Sequence, residues 1–231
     1  MDYASNWALR ARRVGQSLGI LRPTVRLFRR LTNHAYEEAF DHALMSEIRQ
    51  GDVVWDIGAI VGVYTARFAN AVGVTGRVLA FEPSPAPLDE LKVSCGALPN
   101  VEIVNVALSD TDGEAEFWIS DLKDSVTNSF SAGKAGTKRL IVPTARGDRF
   151  RDRASPSIVK VDVEGFELDV LRGMREVLRS PSLRAIFIEV HFLASTERGE
   201  PEAPRKLVEL LREAELSYRW VDPSHLVATR V

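Results

Sequence analysis

Two short runs put charges where a buried strand should have none. "IVKVDVEG" sets Lys160 and Asp162 two residues apart, and "IFIEVH" does the same with Glu189 and His191. Alternate residues of a strand share a face, so each pair points one way out of otherwise apolar sequence. Left unpaired inside a sheet such charges are expensive, so they must meet partners or a ligand. An imidazole can take a hydroxyl proton near neutral pH. A carboxylate on the same face can orient that ring, or help it hold a divalent ion. The chemistry expected is activation of an alcohol, with His191 as general base, Asp162 positioning the acceptor and Glu189 orienting the imidazole. Asp162, Glu189 and His191 are also candidate ligands for Mg²⁺ or Mn²⁺, and the sequence does not separate base from metal ligand. The plain alternative is a structural Lys160–Asp162 pair.

A second set of residues describes a cofactor. "VVWDIGAIVG" runs three apolar or aromatic residues into Asp56, then places Gly58 and Gly62 four apart. Glu82 ends "RVLAFEP", a second apolar run, 24 residues after Gly58. An acid at that place can accept hydrogen bonds from both ribose hydroxyls of an adenosine. A dinucleotide would need a glycine where Ile60 stands, to let backbone approach the pyrophosphate. S-adenosylmethionine carries an adenosine and no phosphate, and it fits this turn better. A nicotinamide-dependent oxidoreductase is therefore the weaker enzyme reading. A degenerate binding module is the reading outside catalysis.

These groups need a scaffold that brings strand ends together. From Gly51 onward, apolar runs at Val53–Ile57, Arg77–Phe81, Val101–Val106, Ser157–Val161 and Arg184–Val190 alternate with helical stripes. The stripes are Tyr64/Phe68/Val72, Leu88/Leu91/Cys95, Leu168/Leu171/Met174/Leu178 and Leu207/Leu211/Ala214. That alternation predicts an α/β fold of three layers, with a mostly parallel sheet covered on both faces. Ser217–Val221 and Leu226–Val231, joined by Asp-Pro-Ser-His, predict a C-terminal antiparallel hairpin. An insertion at about 112–147 contains two extra strands, Glu114–Ser120 and Arg139–Thr144. The polar loop between them is long enough to be expected as a lid. Ahead of the domain, residues 1–50 predict helices, the second with Tyr36, Phe40, Leu44 and Ile48 on one stripe and Gly51 as its C-cap. With 51–231 as the main domain, the loop at 121–138 and these helices are expected to cover the acceptor.

Composition narrows the class. The 231 residues are 45% hydrophobic and 27% charged with a net charge of −2, so no global field favours nucleic acid, and no RNA-binding motif is present. One cysteine, Cys95, cannot form an internal disulfide, which suits a cytoplasmic location. No apolar run reaches the ~20 residues of a membrane span. Residues 1–30 carry seven arginines against Asp2 alone. That segment is read as a helix packed on the domain, with peripheral membrane contact or a transit peptide as alternatives.

Taken in order, "GDVVWDIGAIVGVYT", "VLAFEPSP", "NVALSDTDG", "IVKVDVEGFELDVLRG" and "IFIEVH" resemble the FkbM family of S-adenosylmethionine-dependent methyltransferases, over about three-fifths of the chain. The resemblance implies a Rossmann-like class I methyltransferase fold. It also implies O-methylation of a hydroxyl on a sugar, glycolipid or polyketide-like natural product. On the family's motifs, Asp56, Gly58, Ala59 and Gly62 match the first cofactor motif. Glu82 with Pro83 matches the ribose-binding acid, and Ala107 to Asp110 match the segment beside the adenine. Lys160, Asp162, Glu164 and Gly165 match the run at the fourth strand, and Glu189 and His191 the run at the fifth. Ile60 and Val61 depart from the family, which commonly has Asn after Gly-Ala, and Ser94 stands where Asn is usual.

Overall fold

The computed structural model describes residues 2–5, 7–10, 38–120 and 137–230. The apolar runs of the sequence form β1 (Val53–Ile57), β2 (Arg77–Phe81), β3 (Val101–Val104), β7 (Ile158–Val161) and β8 (Ala185–Glu189). They lie parallel in a seven-stranded sheet of order β3-β2-β1-β7-β8-β10-β9. β9 (Leu216–Trp220) and β10 (His225–Arg230) are the C-terminal hairpin, and β10 pairs antiparallel with β8. β1 and β7 are neighbours, and from them the chain winds outward in both directions. Their carboxyl ends therefore flank the switch-point crevice where open α/β sheets bind ligands.

Helices cover both faces. Val63–Val72 buries Phe68, Ala69 and Val72, and Pro85–Cys95 buries Leu88, Leu91 and Cys95. The stripe from Leu168 to Leu178 is two short helices, Glu167–Gly173 and Arg175–Arg179. They break at Met174, whose φ of −127° is not helical, although its side chain stays fully buried. A short helix, Phe192–Glu197, follows β8 where the sequence showed no stripe, and Ala203–Glu213 then returns to β9.

The strand expected over Val101–Val106 ends at Val104. After β3, Ala107–Ser109 forms β4 and joins β5 (Gly113–Ser120) and β6 (Thr137–Arg146) in a second, three-stranded sheet. β6 is the middle strand, tying β5 to the segment after β3. The loop expected as a lid falls at 121–136, outside the described residues, as do residues 11–37. The described N-terminal residues pack on the domain core. Ala4 and Leu9 join its largest apolar cluster, and the helix at 38–47 buries Phe40 and Leu44 against Val54 and Phe68. Gly51 does not cap that helix, which ends at residue 47. It turns the chain into β1, with φ +84° and its N–H donating to the Val72 carbonyl at 2.9 Å.

Candidate active site

The carboxyl ends of β1, β2 and β7 and the start of β4 surround an open cleft at the switch point of the sheet. Gly58, Ile60, Glu82, Pro83, Ala107, Asp162 and Glu164 line it, with Phe81, Val106 and Phe166 supplying apolar wall. Glu82 is almost wholly buried at the end of β2. Its Oε2 accepts the Ile60 N–H at 3.0 Å and its Oε1 the Ser84 N–H at 2.7 Å. These bonds aim the carboxylate before anything binds. Burial pushes its pKa up, against those backbone bonds.

The turn after β1 works by close approach. A Cβ on Gly58 would lie 1.9 Å from the Asp162 carbonyl oxygen, so only glycine lets this turn lie against the end of β7. Gly62 has another role. Its Cβ would meet Leu91, Ser94 and Cys95 at under 3 Å, and it does not line the cleft. It packs the turn against the helix Pro85–Cys95. Ala59 is likewise buried, against Leu91 and Cys95. Ser94 fastens the same turn by donating to the Val61 carbonyl at 2.7 Å. Ile60 takes a left-handed φ of +51° and faces the cleft.

Asp56 lies beneath this surface, fully buried, and does not reach the cleft as a cofactor contact. Its Oδ2 accepts the Thr65 hydroxyl at 2.6 Å, while Oδ1 has no hydrogen-bond partner and lies 3.9 Å from Lys160 Nζ. Burial pushes Asp56 up, with Lys160 and Thr65 opposing. Lys160 is also buried. It donates to Asp162 Oδ2 at 3.2 Å and sits 4.9 Å over the Tyr64 ring. Burial alone would push its ammonium down, but Asp162 and Asp56 outweigh that and hold it protonated. Lys160 therefore works from behind the site, holding Asp162.

Beside the cleft the polar strand ends converge. Four carboxylates surround the His191 ring. Glu167 accepts from Nδ1 at 2.8 Å, and Glu164, Glu189 and Asp162 lie 3.4, 3.6 and 3.9 Å from Nε2. The carboxylate that orients the imidazole is thus Glu167, not Glu189 as expected, because the loop after β7 folds back under the ring. Burial would depress His191, but Glu167 and its fellow carboxylates outweigh it and push it up to about 10. That direction favours the protonated ring, in which His191 balances the surrounding carboxylates. Burial pushes Glu164 up despite His191 beside it. Glu189 is shared, its other oxygen lying 3.6 Å from Nε2 of His225. His225, in turn, is fixed by Asp222 at 2.6 Å and stacks on Phe40 at 4.2 Å. Burial opposes ionisation of Glu189, yet His225 and His191 hold it down at about 2. The metal-competent group also differs from the expected one. Ligand atoms of Asp162, Glu164 and His191 lie within 4.8 Å of one another, whereas Glu189 is outside that set.

Glu167, Asp222 and His225 escaped the sequence reading. The Asp-x-x-His spacing was visible but served there only as a turn, and Glu167 stood next to the Leu168 stripe with no role assigned.

Residues 56–219 match the Methyltransferase FkbM domain model. The chain belongs to the FkbM methyltransferase family. It is 32% identical over 178 residues to the hexuronic acid methyltransferase AglP of Haloferax volcanii, a match covering 75% of this chain and 67% of that protein. Among solved structures, it is similar to the methyltransferase FkbM of Methylobacillus flagellatus, with TM-score 0.51 and 14% identity over 77% of this chain. The chain spans 43% of the length of that structure. It is also similar to Aeropyrum pernix fibrillarin in complex with S-adenosyl-L-methionine, with TM-score 0.49 and 14% identity over 79% of this chain and 67% of that one. The central sheet and its flanking helices are those of the class I methyltransferase fold.

Proposed function

We propose that this protein transfers a methyl group from S-adenosylmethionine to an oxygen of a sugar, with a hydroxyl of a hexuronic acid as the first acceptor to try. The observation that carries the reading is Glu82, held by two backbone N–H groups at the floor of the cleft and adjacent to the Asp162–Glu164 wall. A carboxylate so placed suits the ribose of an adenosine, and the apolar wall at Phe81 and Val106 suits its base. Family membership and the name of the Haloferax relative favour the reaction class and the acceptor.

The acceptor oxygen displaces the sulfonium in line. Its lone pair forms the new C–O bond, the C–S bond breaks, and that electron pair stays on the sulfur of S-adenosylhomocysteine. Holding the two reactants aligned supplies on the order of 7–11 kcal/mol in favourable cases. One carboxylate of the cleft wall, Asp162 or Glu164, takes the hydroxyl proton. His191 lies against both carboxylates, and Lys160 holds Asp162 from behind.

The test incubates the protein with S-adenosylmethionine and a glucuronate-terminated oligosaccharide, following S-adenosylhomocysteine release and the mass of the product. An alkali-stable methyl ether is the expected product. An alkali-labile ester would move the reacting oxygen from hydroxyl to carboxylate. Failure of S-adenosylhomocysteine to bind in calorimetry would overturn the cofactor assignment itself.

A further inference from the structure

The group of charges beside the cleft is short of positive charge. Six carboxylates (Asp56, Asp162, Glu164, Glu167, Glu189 and Asp222) form one contiguous network with three protonatable side chains, Lys160, His191 and His225. With every carboxylate ionised, three cations would leave the network a surplus of negative charge in partly desolvated surroundings, where it is costly. The deficit has a visible consequence away from the ring. Lys160 is drawn to Asp162 at 3.2 Å, and the fully buried Oδ1 of Asp56 is left without a hydrogen-bond partner, 3.9 Å from the same ammonium. One more cation at Asp162 would release Lys160 toward Asp56.

The geometry points to where that cation goes. We propose that Asp162, Glu164 and His191 form a binding site for one divalent cation of the Mg²⁺/Mn²⁺ class. Their ligand atoms, two carboxylate oxygens and an imidazole nitrogen, converge within 4.8 Å. Bonds of about 2.1 Å to a shared metal bring opposite ligands to about 4.2 Å, a closure well within side-chain adjustment. Asp162 is already divided for the purpose, with Oδ2 on Lys160 and Oδ1 on the His191 side. His191 is set in the tautomer a metal needs. Nδ1–H donates to Glu167, whose Oε1 also accepts the Gly165 N–H at 2.8 Å, and Nε2 faces the group. An outer carboxylate on the far nitrogen is the usual support of a ligating histidine. Glu189, bound up with His225, stays outside. In the metal-free protein, the Nε2 proton stands where the metal would.

The metal's use rests on the function proposed above, since it would lower the pKa of a coordinated acceptor hydroxyl and offset repulsion of an anionic sugar. Its binding does not depend on that function, and the experiment keeps the two apart. The full chain is titrated with Mn²⁺ and free Mn²⁺ is followed by electron paramagnetic resonance, with S-adenosylhomocysteine affinity measured by calorimetry on each protein. One Mn²⁺ per chain is expected, displaced by excess Mg²⁺. Glu164→Gln and His191→Gln should each weaken Mn²⁺ binding by more than ~10-fold, and Glu167→Gln by roughly 10–100-fold through the ring. The fold of each variant is certified by its circular dichroism spectrum and a cooperative urea-unfolding transition. If His191→Gln fails to fold, Glu164→Gln carries the decision, because Glu164 is a half-exposed loop residue. No stoichiometric Mn²⁺ at millimolar concentration, or Mn²⁺ bound equally by wild type and Glu164→Gln, overturns the proposal. Mn²⁺ bound without S-adenosylhomocysteine would instead overturn the methyltransferase reading and leave the metal site standing.

Discussion

Gly58 and Gly199 offer a controlled comparison of backbone strain with steric conflict. Their φ angles are +84° and +82°, so alanine at either pays the same left-handed penalty, roughly 1–2 kcal/mol. Alanine also stiffens the unfolded chain and returns about 0.4–1 kcal/mol. Gly199→Ala, whose Cβ would meet nothing within 4 Å, should therefore lose only about 1 kcal/mol. Gly58→Ala adds a Cβ at 1.9 Å from the Asp162 carbonyl oxygen and 2.9 Å from its carbon. That obstacle is backbone, held by the Asp162 N–H donating to the Ile57 carbonyl at 3.0 Å, and it cannot rotate aside. Overpacking of this kind costs typically 1–3 kcal/mol, so the total for Gly58→Ala should be ~2–4 kcal/mol. The displaced parts are the ligand-facing ones, namely the turn that positions Ile60 and the strand end that carries Asp162. S-adenosylhomocysteine affinity should fall at least ~10-fold in Gly58→Ala, equivalent to 1.4 kcal/mol, and not at all in Gly199→Ala. Urea unfolding and calorimetry on the two variants measure both quantities. Equal stability losses with wild-type affinity in both would refute the close-approach argument.

Glu82→Gln keeps the shape of the ribose acid but removes its charge and one acceptor oxygen. The loss of a charge-assisted bond should raise the dissociation constant for S-adenosylhomocysteine about 10–100-fold, and an unchanged constant would remove Glu82 from the ribose. The Asp222–His225 pair makes stability depend on pH from both sides. His225 is pushed up to about 9, above its ordinary 6.5, by Asp222 and Glu189 overcoming burial. Its contribution is therefore complete below 6.5 and is lost as pH rises through 9. Asp222 is lowered, with His225 and Ser224 overcoming burial, so its contribution is present above 3.8 and is lost as pH falls below that. The stability gap between wild type and His225→Gln, measured by urea unfolding, should thus narrow between pH 6.5 and 9.5. A gap that does not change over that range would show that His225 contributes packing on Phe40 and no charge.

What the sequence settled by itself was whatever repeats along the chain. Apolar β-branched runs alternating with helical stripes dictated a covered parallel sheet, because each period satisfies one backbone geometry and buries one face. Glu82 at a strand end and the Lys160/Asp162 and Glu189/His191 pairs were legible for the same reason, since charges in apolar strands must be compensated. Tertiary structure decided what each acid and ring faces. Gly58 and Gly62 look alike in sequence, yet one lies against the Asp162 carbonyl in the cleft and the other against Leu91 and Cys95 beneath it. Asp56 reads as a ligand acid but is sealed under Lys160. His191 reads as a base, yet Glu167, 24 residues away, returns to its Nδ1 and with Glu164 and Glu189 favours a proton on the ring. Protonation state is set by the charges within a few ångströms of a ring, and strand order and loop folding, not spacing along the chain, bring those charges there.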